Sequence, residues 1–511
     1  MEIERLLDAP GSQRLDGGES GPTVPTKPQS GNWLQVFIVL GVCLCEPITA
    51  FVPMPFLAQA SLSLVNETGI TQGDSSRVGY HIGIIESSFF LTQALCILHW
   101  GRLSDRIGRR PVLLTGLFGL IASMLSFGLA KSVTTVVLSR MIAGVLNGNV
   151  GVAKTMLAEL TNDSNRARVL SLFPITWVIG LTIAPVIGGA LQHPAERLLI
   201  FKGNKFLAAN PYFLPCFVSA LCCACAWVFA FFALGETLNA ESKVRSTNKT
   251  VKSYGAIPNA STPSSVLDPN VLPTTSEAND TSLRSVLTRP VILAITNYGW
   301  LALIEISFWA ILTVFLPIPV SAGGLGLPPP LVGAICGAFG LFDGLIQLVA
   351  FAPMLKRFGP KKIMIATMIS FWFIFACFPI MHELTKANPT PAGELHWSVW
   401  AVMLAMMLMG SMFDMGFSVN FMFVSAAAPS PALLGTTNGL AQMVISFLRA
   451  LGPVSATSLF SLSMAHPRWL GLHGYSVFVF IAILTGFAVR SALLLPENPN
   501  MNMNKDDEDE Q

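Results

Sequence analysis

From Pro111 to Lys131 the chain reads PVLLTGLFGLIASMLSFGLAK, twenty residues without a charge and then a lysine. A helix over this stretch rises 1.5 Å per residue and is about 30 Å long, the thickness of a bilayer's hydrocarbon layer. Arg109 and Arg110 close it on one side. Working outward, eleven further segments pass the same test. The expected spans are 34–60, 79–100, 111–131, 134–158, 169–191, 211–235, 290–318, 331–354, 363–381, 397–424, 437–463 and 473–495. Of 511 residues, 52% are apolar and 12% charged, whereas soluble domains carry about 25% charge. A net charge of +2 offers no basic face to nucleic acid. Soluble enzymes and nucleic-acid binders are excluded, and an all-α, multi-pass membrane protein is expected.

The chain divides into a polar tail (1–32), six spans (33–235), a linker (236–289), six more spans (290–496) and an acidic tail (497–511). The linker is rich in Ser, Thr, Asn and Pro, too polar to order itself. A polar tail ahead of a long first span is not a cleavable signal. With a cytosolic N-terminus, the inner loops and N-tail carry 19 Lys and Arg and the outer loops seven. This bias places both termini in the cytosol. The sequon at Asn66 then lies outside, open to glycosylation, and those at Asn162, Asn248, Asn259 and Asn279 lie inside. All nine cysteines fall in spans and read as apolar filler; neither a metal site nor a cofactor is expected. Glu2-Ile-Glu-Arg-Leu6-Leu7 fits an acidic-dileucine sorting pattern, pointing to a vacuolar or endosomal membrane, with the plasma membrane as alternative.

After the second span comes Trp100-Gly101-Arg-Leu-Ser-Asp105-Arg-Ile-Gly108-Arg109-Arg110-Pro. It resembles the GxLaDRxGRRxxl signature between helices two and three of the major facilitator superfamily. Arg140-xxx-Gly144-xxx-Gly148 in span four is similar to that superfamily's second motif. Gly180-Leu-Thr-Ile-Ala184-Pro185-Val-Ile-Gly188-Gly189 in span five resembles its antiporter motif, with Ala184 where glycine is usual. Leu146-Asn147-Gly148-Asn149-Val150-Gly151 and Ala158-Glu159 resemble a fungal branch of the 12-span drug:H⁺ antiporters, akin to zinc-induced facilitators and tetracycline exporters. The resemblance covers about 33–495 and implies two six-helix bundles, with helices one, four, seven and ten lining the cavity. Lys356 to Lys362 aligns with the first-half loop through Gly108 and Gly359, as a duplication requires. Lys356 there replaces Asp105.

Ionisable residues inside spans cost about 2.5–3.5 kcal/mol or more, so each is a functional candidate. Counting rise per residue puts Glu46, Glu86 and Arg140 at one depth, about 10 Å below the outer face. A carboxylate balanced between burial and a nearby arginine suits a proton carrier, so Glu46, with Glu86 second, is the expected proton site. Arg140, Gly144, Asn147, Gly151 and Lys154 share one face of span four. Arg140, Asn147, Glu305 and Asp414 are the candidate cavity residues. Asp343 and Arg449, both about 18 Å deep, are expected to pair structurally.

Gly101, Asp105, Gly108, Arg109, Gly180, Pro185, Gly188 and Gly189 are the candidate gating residues. Asp105 is expected to meet the start of span eleven at Gly435 to Asn438 and, with Arg109 and Glu159 or Asp163, to latch the halves. The small residues of spans five and eight are expected at the interface between halves. The resulting expectation is proton-coupled antiport, exporting a small organic or metal-chelate substrate by alternating access. The expected partners are the lipid bilayer, protons and a small-molecule substrate, with a monomer as the working unit. A Walker motif is missing, which excludes a nucleotide-driven pump, and Leu234-Gly-Glu-Thr stands where sugar carriers have PESPR. A proton symporter, a facilitative nutrient carrier and a transport-dead sensor remain as alternatives.

Overall fold

The computed structural model describes residues 33–67, 78–161, 169, 172–238, 286–391, 394–429, 433–466 and 474–497. The tails, most of the linker, the four inner sequons, Asp163 and the dileucine pattern lie outside the described residues. Twelve helices among the described residues are long and apolar enough to cross a membrane. They are span 1 (Trp33–Phe51), span 2 (Val78–Ile107), span 3 (Arg109–Gly128), span 4 (Val133–Glu159), span 5 (Phe173–Leu191) and span 6 (Phe213–Ala233). Spans 7 to 12 are Arg289–Phe315, Pro329–Phe358, Pro360–Ala387, Trp397–Ala427, Gly435–Ala465 and Ser476–Leu493.

Local chemistry explains where these helices stop. Span 1 ends at Phe51 and not near residue 60, because Pro53 and Pro55 withhold two helical N–H donors. A separate helix, Leu57–Glu67, follows and carries Asn66 near its end. Span 4 breaks at Asn147-Gly148, where Asn147 Oδ1 accepts the Asn149 N–H at 3.2 Å. Trp100 Nε1 donates to the Val145 carbonyl beside the break, at 2.6 Å. Span 10 is interrupted at Ser411. Unwound backbone at membrane depth is tolerated where it lines protein or a cavity.

Spans 1 to 6 pack on one another, as do spans 7 to 12. The halves meet along two main seams, span 2 with span 11 and span 8 with span 5. Shifting every number by six exchanges these seams, as a duplicated six-helix unit requires. Span 7 is the interior helix, 72% buried in its apolar window, and span 6 is peripheral at 28%.

The halves pack more closely toward one end. Call the end holding Gly108 and Gly359 the basic-loop end, and the other the far end. At the far end a Cβ on Gly79 would strike Thr457 and Ser461, and one on Gly83 would strike Thr457 and Val454. Ser87 Oγ accepts the Val454 N–H at 3.0 Å. Across the other seam, Gly189 lies on Pro329, Pro330 and Gly333, and Gly340 lies on Leu181 and Thr182. Phe51 of span 1 meets Trp309 of span 7 edge-on at 5.5 Å. Toward the basic-loop end the seam between spans 2 and 11 opens: a Cβ on Gly101, Gly435 or Gly439 would meet nothing within 4 Å.

Candidate functional site in the layer between the halves

Glu46 is buried in span 1, one turn before Ala50. Its Oε1 accepts from Gln93 Nε2 of span 2 at 3.3 Å, and its Oε2 has no hydrogen-bond partner. Asn147 stands beside it at the break in span 4, and its Nδ2 is equally unpartnered. Glu46, Thr49, Phe89 and Arg140 line a recess that holds about one water. Arg140 donates to the Thr49 carbonyl at 3.3 Å, lies 5.2 Å from the Phe127 ring and feels the charge of Glu86. The three charges placed at one depth by counting are therefore neighbours. Arg140 binds backbone and a ring and feels the charge of Glu86, while Glu46 lines the same recess.

Two further cations occupy the space between the halves, each between a ring of span 5 and a ring of span 10. Arg449 lies 5.8 Å from Trp177 and 5.5 Å from Phe417. Lys154 lies 4.9 Å from Phe173 and 5.6 Å from Phe421. Phe173 and Trp177 are four residues apart on span 5, and Phe417 and Phe421 four apart on span 10. The two tiers are therefore about 6 Å apart along the helices. Arg449 also pairs with Glu305 at 3.6 Å. Among the described residues Lys154 forms no ion pair within 4 Å; it stands on the two rings and feels the charge of Glu46.

The expected Asp343–Arg449 pair is not formed. Equal depth does not fix azimuth: span 11 packs on span 7, so Arg449 turns to Glu305, whereas span 8 packs on span 5. Asp343 instead adjoins Asp414, and one turn further along both helices Gln347 Nε2 donates to Ser418 Oγ at 3.1 Å. Asp414 thus packs within the second half, beside Asp343.

The loop motif is built around a buried Arg109, which donates to Ser104 Oγ at 2.8 Å and pairs with Asp105 and, at 3.0 Å, with Glu159. Asp105 is 61% exposed, and among the described residues its ion-pair partner is Arg109 and not the start of span 11. The predicted cross-half contact is absent because the halves are apart at this end. Sequence reading assigned Glu236 to the linker. Its carboxylate in fact accepts the N–H groups of Arg109 and Arg110 at 2.8 and 3.2 Å, capping span 3. Gly108, at φ +115°, leaves room for that carboxylate, onto which a Cβ would fall. The second half repeats the device more weakly: Gly359 also has positive φ, and Glu497 after span 12 meets Lys361 at 3.6 Å.

In span 5 the gating glycines divide. Gly180 packs on Pro47 and Gly188 on the Val52 carbonyl, both in the same half, correcting the expectation that these residues face the other half. Pro185 and Gly189 do face it, across Gly333.

A family model described as Major Facilitator Superfamily matches residues 39–320. The chain belongs to the Major Facilitator Superfamily. This facilitator is 31% identical to a major facilitator-type transporter of Psilocybe cubensis, over 82% of this chain and 83% of that one. A major facilitator superfamily multidrug transporter of Aspergillus fumigatus is 27% identical, over 82% and 77%. Among solved structures, a D-xylose-proton symporter superposes with a TM-score of 0.66 at 12% identity, covering 92% of this chain and 99% of that one. The last likeness is one of fold. The chain is thus an integral, multi-pass membrane transporter related to multidrug carriers.

Proposed function

We propose that this facilitator exports a small organic or metal-chelate substrate from the cytosol in exchange for protons, by alternating access. The observation carrying this reading is Glu46. It is a buried carboxylate beside the Asn147 amide, within electrostatic reach of Lys154 in its own half and of Arg449 in the other. Such a group needs a proton or a cationic ligand when water is excluded. The Lys and Arg bias assigns the basic-loop end to the cytosol, so the conformation described here is open inward and ready to load. The multidrug relative supports export. Glu86, beside Arg140, is the second proton site.

The decisive experiment uses everted vesicles with an acidified lumen and a quenched pH dye. Drugs, polyamines, metal chelates and sugars are added outside, and Glu46→Gln vesicles run in parallel. A substrate that collapses the gradient in wild type but not in the variant is the expected result. A compound carried while the gradient stays intact removes proton antiport and leaves a facilitative carrier.

A further inference from the structure

The loop joining spans 5 and 6 at the far end sets bare apolar side chains among cations. Leu199 and Ile200 are 86% and 90% exposed, more than any other large apolar residue among the described residues. Most other exposed large apolar residues lie in the spans, where lipid covers them, but these two lie outside every span. Arg197, Lys202 and Lys205 flank them and are exposed as well. The loop has a built frame. The His193 N–H donates to the Pro211 carbonyl at 2.9 Å and closes its base, and Tyr212 stacks on buried Phe56 at 5.1 Å. Asn204 Oδ1 caps the short helix Lys205–Ala209, accepting the N–H groups of Phe206 and Leu207 at 3.0 and 3.2 Å, and Leu207 is buried. Leu199 and Ile200 are thus held outward on a defined backbone, a 3₁₀ turn over Leu199–Phe201.

The neighbouring helix says what covers them. Phe206 meets Phe213, in the first turn of span 6, edge-on at 5.1 Å, and Phe213 stacks on Phe217 at 5.6 Å. Phe217 begins an exposed apolar stripe on this peripheral span, continued by Leu221, Val228 and Phe232 at helical spacing. Such a stripe on a spanning helix faces lipid. Phe206, 49% exposed, carries it past the end of the span and into the loop. We propose that the loop is an interfacial anchor: Leu199, Ile200 and Phe206 enter the acyl region of the far-end leaflet, and Arg197, Lys202 and Lys205 hold the lipid phosphates above it. Apolar side chains in the acyl boundary with cations at the headgroups is how amphipathic segments lie in a membrane interface. Long Lys and Arg stems let the charge reach the phosphates from an apolar level. Because Tyr212 ties the loop to Phe56, just after span 1, the anchor fixes the depth of the first half while the second tilts against it. Neither the substrate nor proton coupling enters this inference.

The test is photo-crosslinking of the full chain in nanodiscs of phosphatidylcholine with phosphatidylglycerol as the minor lipid. p-Benzoylphenylalanine, which inserts into C–H bonds on illumination, is placed at position 200 in one protein and at position 217 in another. Mass spectrometry of the peptides reads the adducts. Position 217 reports that span 6 is folded and facing lipid in the same preparation. Position 200 should yield phospholipid adducts attached through an acyl chain. Among them phosphatidylglycerol should be enriched about fivefold over its share of the bilayer, the worth of one cation near an anionic surface. Replacing Arg197, Lys202 and Lys205 together by Gln should return that ratio to the bilayer's own while adducts still form. Leu199→Ser with Phe206→Ser should lower the adduct yield at position 200 and leave that at 217 unchanged. The proposal is overturned if position 217 crosslinks to lipid and position 200 does not, or if position 200 crosslinks to protein instead. It is also overturned if phosphatidylglycerol is not enriched, or if its enrichment survives loss of the three cations.

Discussion

Replacing Gly189 by valine should drive the far ends of the two halves apart. A Cβ at this position would lie 2.6 Å from the Pro329 carbonyl oxygen, 3.1 Å from Pro330 Cα and 3.2 Å from Gly333 Cα. All three are backbone atoms, so no side chain can swing aside. Overpacking of this kind costs about 1–3 kcal/mol. That cost falls only on the conformation in which spans 5 and 8 touch here. At 1.4 kcal/mol per factor of ten, the population should shift about 5- to 150-fold toward the far-open conformation. Electron–electron spin distances read the shift. One label pair at Arg106 and Arg357 spans the basic-loop end, and another at Lys131 and Lys386 spans the far end; all four residues are exposed. In Gly189→Val the first distance should shorten and the second lengthen. Gly435→Ala is the control, since its Cβ meets nothing within 4 Å. A folded Gly189→Val protein with wild-type distance distributions would show that this seam does not set the conformational balance.

Three further outcomes follow from the loop chemistry. Glu236→Ala removes a charged cap from two N–H groups at the start of span 3 and should cost about 1–3 kcal/mol, read as a lower unfolding midpoint at fixed scan rate. Gly108→Ala forces a glycine-only backbone conformation at about 1–3 kcal/mol and also collides with Glu236. The double variant should therefore lose less than the sum of the two singles; strict additivity would refute the contact. Lys361→Ala should cost no more than about 1 kcal/mol, because its partner Glu497 is 68% exposed; a loss as large as that of Glu236→Ala would contradict this.

Spans were legible because lipid exposure imposes an apolar run that nothing else in a sequence imitates. The neighbourhood of Glu46, Glu86 and Arg140 was legible because counting residues gives depth along a helix. Azimuth is not countable, and that is why Arg449 was matched with Asp343 when span 7 carries its real partner, Glu305. The aromatic tiers were hidden for a related reason. Phenylalanines at 173, 417 and 421 look like any other apolar residue until spans 5 and 10 are placed on either side of Lys154 and Arg449. Glu236 was missed because its polar neighbours share the linker's composition; the repeat held the clue, since Leu234-Gly-Glu236 recurs as Leu495-Pro-Glu497 after span 12.

Under the proton-exchange reading proposed above, coupling follows from charge balance and not from a moving part. With Glu46 ionised, Lys154 and Arg449 are offset by Glu46 and Glu305, yet Glu46 Oε2 has no donor. Closing the basic-loop end would then strip water from a carboxylate oxygen that lacks a donor, at a cost of about 1–3 kcal/mol. A proton removes that charge and a cationic ligand group compensates it, so either permits closure, and the empty ionised carrier is held back. Proton and substrate compete for one oxygen, so wild-type binding of a cationic or zwitterionic substrate should weaken as pH falls. Glu46→Gln mimics the protonated state permanently. It should bind such substrates weakly and without pH dependence, and its spin-label distances at both ends should interconvert without substrate or proton. Pairing a titration from pH 5 to 8 with the distance measurements checks both consequences. If Glu46→Gln keeps the wild-type pH dependence of binding, the titrating group lies elsewhere, and Glu86 beside Arg140 becomes the residue to replace next.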